Sequence, residues 1–572
     1  MVTIYTKIFD KISKKFRSKF IILIFALFLN SFFELLSISL IVPIYKSIVD
    51  YQNLITQNDI FFSKYLLALN QNQIIVLFFL ILALVFFLKF LVYSFSNRYS
   101  FRLIADLKTQ LSSKIFNNYA NRDYIFFKQK NSSLIVRDIL IEVSEFCERY
   151  VLSSINLVLE AMVAISLFVF LFFFEMKITL FFISYIALIS LLYFKFVKKK
   201  ILKAGELRSN IDEKKFSILQ EFIRNIKSIK IKNNEIFFSK LFKSFIKNFE
   251  YSYANFNYVQ VLSKPVLEFF GILFVIFWIV INIYFKTNLN DLFLSVSLVI
   301  FVCLRTLPSI NKIVFSVGQI KFGQPSIKIV NDELEKLGNY VDKFNKKNLI
   351  KFNQTITLKG ICFKYNESKK NIFSNFDFEI NKKDKICILG KSGEGKTTLI
   401  EIISGLLRPT NGQITIDKKK VFDPSIEYLD MIYMPQDLLL TDGTIQDNIA
   451  FDQNKDVDKN RIQEAIELSE LSQFVNSLEN KTKEKVGEFG GKLSGGQKQR
   501  IGIARCFYDQ SDIIILDESM SAIDEKTRIK ILHNIFKSFA HKTIIYITHD
   551  KSFLEFFDKK YYLKDGNLKL LD

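Results

Sequence analysis

The run Gly390-Lys391-Ser392-Gly393-Glu394-Gly395-Lys396-Thr397-Thr398 has the residue types and spacing that hold phosphate. Glycines at 390, 393 and 395 let a loop close tightly around an anion, so the backbone N–H groups of residues 391–396 can wrap it. Lys396 neutralises phosphate charge, and the Thr397 hydroxyl is placed to ligate Mg²⁺. Such a loop works only between a strand and a helix. The text supplies both: an apolar run at 386–389 precedes it, and a helical pattern to residue 403 follows, its positive N-terminus facing the same oxygens. A second apolar strand, Ile513-Ile514-Ile515-Leu516, ends in Asp517-Glu518, where a buried Asp517 carboxylate can hold the magnesium shell.

Between these two strands lies Leu493-Ser494-Gly495-Gly496-Gln497, a run that marks ABC ATPases and is not a general nucleotide motif. The order of motifs from Gly390 to His549 therefore resembles the ATP-hydrolysing cassette of ABC transporters. The resemblance implies roles residue by residue. Glu518 matches the general base that polarises the attacking water. His549, in Ile547-Thr548-His549-Asp550, matches the histidine that contacts the γ-phosphate, and Gln436, in Met434-Pro435-Gln436-Asp437, the glutamine that senses Mg²⁺ and water. Tyr365 matches the ring that stacks on adenine. A lone Tyr on a strand is more often core packing, but its position 25 residues before Gly390 favours stacking. Ser521-Ala522-Ile523-Asp524 matches the loop carrying Asp524, with Ile where Leu is commoner. In this family Ser494, Gly495, Gly496 and Gln497 bind the γ-phosphate held by the opposite subunit. One membrane domain and one cassette thus resemble a half-transporter that must dimerise. With Glu518 and the signature both intact, a homodimer is expected, an equally intact similar half-transporter being the other option. One departure stands out: Glu484-Lys485-Val486-Gly487-Glu488 carries Lys485 where exporters usually have an acid.

The elements around this cassette belong to a membrane protein. Of the 572 residues 50% are hydrophobic and 62 are Phe, though an AT-rich genome also favours Phe, Ile, Lys and Asn. Four of the 19 glycines precede residue 330 and 14 lie from Gly360 onward, so long helices should give way to a turn-rich α/β domain. About 20 apolar residues cross a bilayer core, and six stretches qualify: 20–49, 73–97, 151–175, 177–197, 264–285 and 291–316. The net charge of +21 gathers beside these spans, as at Lys195, Lys198, Lys199 and Lys200. That is the positive-inside pattern, and no nucleic-acid-binding signature accompanies it. The five cysteines form no CxxC pair and should be free thiols. Basic helical segments at 98–148 and 198–260 read as cytoplasmic continuations, placing the ATPase domain and both termini in the cytoplasm, at a bacterial inner membrane.

This layout resembles the type IV ABC exporter: a six-helix transmembrane bundle with long intracellular extensions (1–320), a linker (321–350) and an α/β P-loop ATPase domain (351–572). In that family the tip of each excursion is a short coupling helix, expected here near 122–127 and 221–225. ATP and Mg²⁺ are the implied cofactors. Charges within spans are costly and point to function. Arg305, mid-span, and Lys264, opening the fifth span, could hold an anionic headgroup. The ordinary alternatives are inter-helix pairing, for example of Arg305 with a glutamate, and snorkelling for Lys89. In the 50–72 loop, Phe61, Phe62, Tyr65, Leu66 and Leu69 make one apolar stripe, which suits a helix on the outer membrane surface or a lead-in to the second span. The first-helix text 33–43 and Arg305-Thr306-Leu307-Pro308-Ser309 are similar to the lipid-linked oligosaccharide flippases of bacterial N-glycosylation. An amphiphilic polyprenyl-pyrophosphate oligosaccharide is therefore the expected cargo. Export of peptides or bacteriocins, flipping of lipid A or phospholipid, and an ATP-gated channel with little hydrolysis remain open. A soluble ABC protein is excluded by six apolar spans.

Overall fold

The computed structural model describes residues 14–49, 70–174, 176–284, 289–336, 348–365, 371–418, 420–424, 427–451 and 457–571. The chain divides into two compact units. The first comprises Met1–Arg122 and Lys130–Val341, and the second Asp123–Gln129 and Asp342–Asp572.

The first unit is helical. It contains α1 (Lys14–Ser39), α2 (Ile41–Val49) and α3 (Gln71–Ala120), and resumes after the segment 123–129 with α5 (Ser132–Val136) and α6 (Ser153–Phe174). It continues with α7 (Met176–Arg224), α8 (Ile226–Ile231), α9 (Glu235–Tyr284), α10 (Leu289–Phe322) and α11 (Gln324–Lys336). Among the described residues, five helices are long and apolar enough to cross a membrane; the sixth expected span lies within α10. Large apolar side chains such as Phe87, Phe173 and Leu191 point outward, as lipid-facing helices require and water-facing ones forbid. The expected first span, 20–49, is interrupted at Leu40. Pro43 has no N–H for the Ser39 carbonyl, so the helix breaks one turn before it. The expected surface helix of the 50–72 loop lies outside the described residues.

The excursions are continuous with the spans, since α3, α7 and α9 run 49 or 50 residues each. Their tips fall a few residues later than expected: α4 (Tyr124–Gln129) and α8 (Ile226–Ile231). At the base of the excursions, residues 137–152 wind through π-helical turns. These turns surround a buried network in which Glu142 accepts from Arg208 at 2.9 Å and from Ser209 at 2.8 Å, while Arg208 also donates to Ser326 at 2.7 Å. Part of the expected 321–350 linker is the helix α11.

In the second unit a six-stranded sheet has the order β12-β11-β4-β10-β9-β8. Its parallel centre is β4 (Lys385–Leu389), β10 (Thr543–Thr548), β9 (Ile513–Asp517) and β8 (Met431–Met434), flanked by β11 (Lys559–Lys564) and the antiparallel β12 (Asn567–Leu571). Every residue of β4, β9 and β10 is buried, the pattern of strands covered on both faces. An antiparallel sheet, β3-β2-β5-β6, packs its inward face on the same core, with β2 spanning Thr355–Phe363, β3 Phe373–Asn381, β5 Asn411–Ile416 and β6 Lys420–Val421. The helices that bear on the site are α12 (Lys396–Ile403), α16 (Gly495–Asp509) and α17 (Glu525–Ser538), with α13 (Ile445–Ala450), α14 (Lys459–Leu468) and α15 (Ser472–Asn476) between the first two. Ile125 of α4 packs against the same core. All five cysteines are free.

Candidate functional site

The loop between β4 and α12 is shaped by its glycines. Gly393 and Gly395 adopt φ of 87° and 98°, the left-handed region in which a side chain is strained. A Cβ on Gly395 would also sit 2.7 Å from Ile372. The buried Lys396 bends back over the loop and donates to the carbonyls of Gly390 at 2.7 Å and Lys391 at 3.0 Å. Its ammonium is thereby held at the loop's centre before any anion arrives.

Strand ends bring the remaining groups to this loop. The Thr397 hydroxyl donates to Asp517 at 3.1 Å, and so does the Tyr433 hydroxyl. Burial raises the Asp517 carboxyl above its ordinary range, while the two hydroxyls hold it down. Glu518 follows in left-handed backbone, φ 45°, its N–H tied to the Ile547 carbonyl at 2.9 Å. Such a conformation costs about 1–3 kcal/mol and persists only where the surroundings enforce it. The turn aims the carboxylate at three partners: Gln436 donates to it at 2.8 Å, Lys396 lies 3.8 Å away and His549 Nδ1 3.4 Å.

These groups line one cavity of about 530 Å³, with Ser392, Gly393, Gly395 and Thr398 on its loop wall and Tyr365 and Ile372 at its side. A triphosphate fits the loop, Lys396 and the N-terminus of α12. Thr397 and Asp517 offer two hard oxygens, the kind of donor set suited to a Mg²⁺ that takes its other ligands from water and phosphate. The cavity thus unites the expected residues 365, 392, 393, 395–398, 436, 517, 518 and 549, with Gly390 beneath Lys396.

The signature residues are not part of that cavity. Ser494 caps α16, accepting from the Gln497 N–H at 3.2 Å while the Gln497 side chain accepts from the Ser494 N–H at 2.8 Å. Ser494 and Gly495 are exposed. A Cβ on Gly496 would meet the Ala522 carbonyl at 2.8 Å, so the loop before Asp524 lies against the signature. Asp524 itself caps α17 through the Thr527 N–H at 2.9 Å. Lys485 pairs its backbone with Thr444.

Tyr433 was missed from sequence although it stands three residues before Gln436; strand alternation puts it on the opposite face from the buried Met434, packed against the core with its hydroxyl reaching Asp517. Lys128 of α4 was also missed. Its ammonium lies 2.8 Å from both oxygens of Glu401 on α12. No motif marks either residue.

Within the helical unit, Glu34 is buried and pairs with both Arg305 and Lys89, the latter at 2.5 Å. Arg305 is therefore in an inter-helix pair, and Lys89 shares the same carboxylate. Lys312 reaches the buried Glu160 at 2.6 Å. Lys264 is exposed, 3.9 Å from Glu268.

The family model of the ABC transporter transmembrane region matches residues 20–306, and the model described as ABC transporter matches 373–521. The chain belongs to the ABC transporter family. Its architecture is that of a type IV exporter. A bacterial Atm1-family ABC exporter with ATP bound superimposes with a TM-score of 0.77 at 19% identity, covering 96% of this chain and 94% of that one. The ATP-dependent lipid A-core flippase of Ralstonia nicotianae is 22% identical over 83% of this chain and 81% of its own length. That of Francisella tularensis subsp. tularensis (strain SCHU S4 / Schu 4) is 26% identical over 77% and 73%. ABC transporter B family member 29, chloroplastic, of Arabidopsis thaliana is 31% identical over 45% of this chain and 41% of its own. This ABC transporter is thus a membrane-embedded half-transporter with an exporter fold, whose ATPase domain binds nucleotide and couples ATP hydrolysis to transport.

Proposed function

We propose that this exporter flips an anionic lipid-linked substrate, most specifically a polyprenyl-pyrophosphate oligosaccharide, from the cytoplasmic to the outer leaflet of a bacterial inner membrane. The observation that carries this reading is the charge balance around Glu34. One buried carboxylate faces two cations, Arg305 and Lys89, so the cluster retains a net positive charge inside the bundle. An uncompensated cation there is costly unless an anion visits it, and pyrophosphate is a doubly suited guest for a guanidinium. Lys264, with a distant and exposed carboxylate partner, would add to this attraction. The relatives that are lipid A-core flippases favour a second reading, in which lipid A or a phospholipid is the cargo.

In the ATP site we assign Glu518 as general base, His549 and Gln436 as its partners at the γ-phosphate and water, Lys396 as phosphate cation and Thr397 with Asp517 as Mg²⁺ ligands. Tyr365 stacks on adenine. Ser494 to Gln497 and Asp524, remote from the loop cavity, serve the cavity of a second chain, so that the working unit is a homodimer. The exposed apolar residues Ile223, Ile231, Ile236 and Phe237 around α8 support a partner surface there.

The cargo assignment is tested in proteoliposomes with a fluorescent polyprenyl-pyrophosphate oligosaccharide and, separately, lipid A. Arg305→Ala and Lys264→Ala should each slow flipping of the former several-fold with basal ATPase retained. Unchanged flipping in both variants removes the headgroup site, and movement of lipid A alone transfers the assignment to the second reading.

A further inference from the structure

The short helix α4 carries more than a docking face. Lys128 Nζ lies 2.8 Å from each oxygen of Glu401, a carboxylate only 4% exposed and one turn beyond Thr397 and Thr398 on α12. The same ammonium stands 5.5 Å from the centre of the Tyr365 ring and 3.4 Å from its hydroxyl. That hydroxyl is in turn 3.4 Å from Glu401 and 3.4 Å from the Thr398 hydroxyl. Tyr365 is thus gripped at its phenolic end by Glu401 and Lys128, while its ring borders the nucleotide cavity. Tyr124, on the same helix, closes the cluster by placing its ring 5.1 Å from the Lys128 ammonium.

The charge state suits a grip. Burial opposes the Lys128 charge, yet the Glu401 carboxylate outweighs it and raises the lysine above its ordinary range. A buried carboxylate deprived of its cation is strongly disfavoured, so Glu401 holds α4 as firmly as Lys128 holds α12. The position of the excursion tip and the orientation of the Tyr365 ring are then two ends of one ion pair.

We propose that Lys128 and Glu401 position Tyr365 for the adenine base, so that occupancy of the base site and seating of the first excursion tip strengthen one another. This rests on Tyr365 being the stacking residue and is independent of the cargo. Linkage makes the effect reciprocal: whatever factor base binding contributes to tip seating, tip seating contributes to base binding. Lys128 and Glu401 touch no reacting atom and act as positioning residues.

The test is steady-state ATPase kinetics of the full-length protein in proteoliposomes, with ATP and with CTP, whose smaller ring stacks less. Lys128→Ala and Glu401→Gln should each raise KM for ATP about 5-fold or more, within the usual range of coupling between sites. Both should leave kcat within about twofold and narrow the preference for ATP over CTP. The exchange Lys128→Glu with Glu401→Lys should return KM towards wild type. Should Lys128→Ala fail to fold, Glu401→Gln and the exchange carry the comparison. Wild-type KM in the folded single variants overturns the proposal, as does equal damage to kcat with both nucleotides, or an exchange that folds without recovery. Tyr365→Ala separates the two layers. If it raises KM for ATP and the Lys128 and Glu401 variants do not, the stacking role stands and the positioning role falls. If it leaves KM unchanged, the stacking role itself falls and the proposal with it.

Discussion

At the scale of single residues, the account depends on one strained turn. Glu518 occupies left-handed backbone and directs its carboxylate towards Gln436, Lys396 and His549. Glu518→Gln preserves that shape and removes only the base, so kcat for ATP hydrolysis should fall by about 10²–10⁴ with nucleotide affinity retained. Titrated nucleotide binding and single-turnover hydrolysis check both halves. Tyr433 gives a subtler prediction. Its hydroxyl and that of Thr397 share one Asp517 oxygen and offset the burial that disfavours this carboxylate. Tyr433→Phe removes one of the two hydroxyls, so hydrolysis should require several-fold more Mg²⁺, with unchanged kcat at saturation. Loss of kcat with no change in Mg²⁺ requirement would contradict the assigned role of Asp517. The phosphate loop, Asp517, Glu518 and His549 were legible from sequence because each sits at a fixed offset from an apolar strand. Tyr433 and Lys128 were not, because their partners are set by strand alternation and by a contact between residues 273 positions apart.

At the scale of elements, long helices must cross closely where the excursions begin. A Cβ on Gly205 would lie 2.2 Å from the Phe322 carbonyl oxygen, so α7 and α10 meet at backbone distance there. Gly205→Ala should force them apart and lower the midpoint of thermal unfolding in detergent. Beside it, Arg208 holds the wholly buried Glu142. Arg208→Ala leaves that carboxylate with only the Arg137 guanidinium, 3.9 Å away, a loss on the order of 3 kcal/mol, and the double variant with Glu142→Gln should recover part of it. The same unfolding measurement decides both. Apolar length and basic composition pointed to stretches that lie in the long helices α1, α3, α6, α7, α9 and α10. They missed the break at Leu40, the π-helical turns of 137–152 and the register of both tips. The break follows from Pro43, which has no N–H to offer the Ser39 carbonyl. The π-turns carry residues in tertiary ion pairs that no local pattern encodes.

At the scale of the whole molecule, the signature and the phosphate loop of one chain lie apart, and the proposed homodimer completes each site with the other chain's signature. Complementation tests this directly. A chain bearing Glu518→Gln and a chain bearing Ser494→Phe should each be inactive as homodimers. Co-assembled, they form one site with both defects and one with neither, so the mixed dimer should recover a substantial fraction of activity. No recovery would place the signature's action within its own chain. The pairing of Glu34 with Arg305 and Lys89 belongs to this scale as well. Residues 34, 89 and 305 carry no shared motif, and only the packed bundle unites them. The most direct measurement of the central claim records ATPase activity and flipping of a polyprenyl-pyrophosphate oligosaccharide on the same proteoliposomes, wild type against Glu518→Gln. The account predicts that the wild type flips in proportion to ATP hydrolysed and that both activities vanish together in the variant. Vigorous hydrolysis with no flipping, or flipping that survives Glu518→Gln, would contradict it.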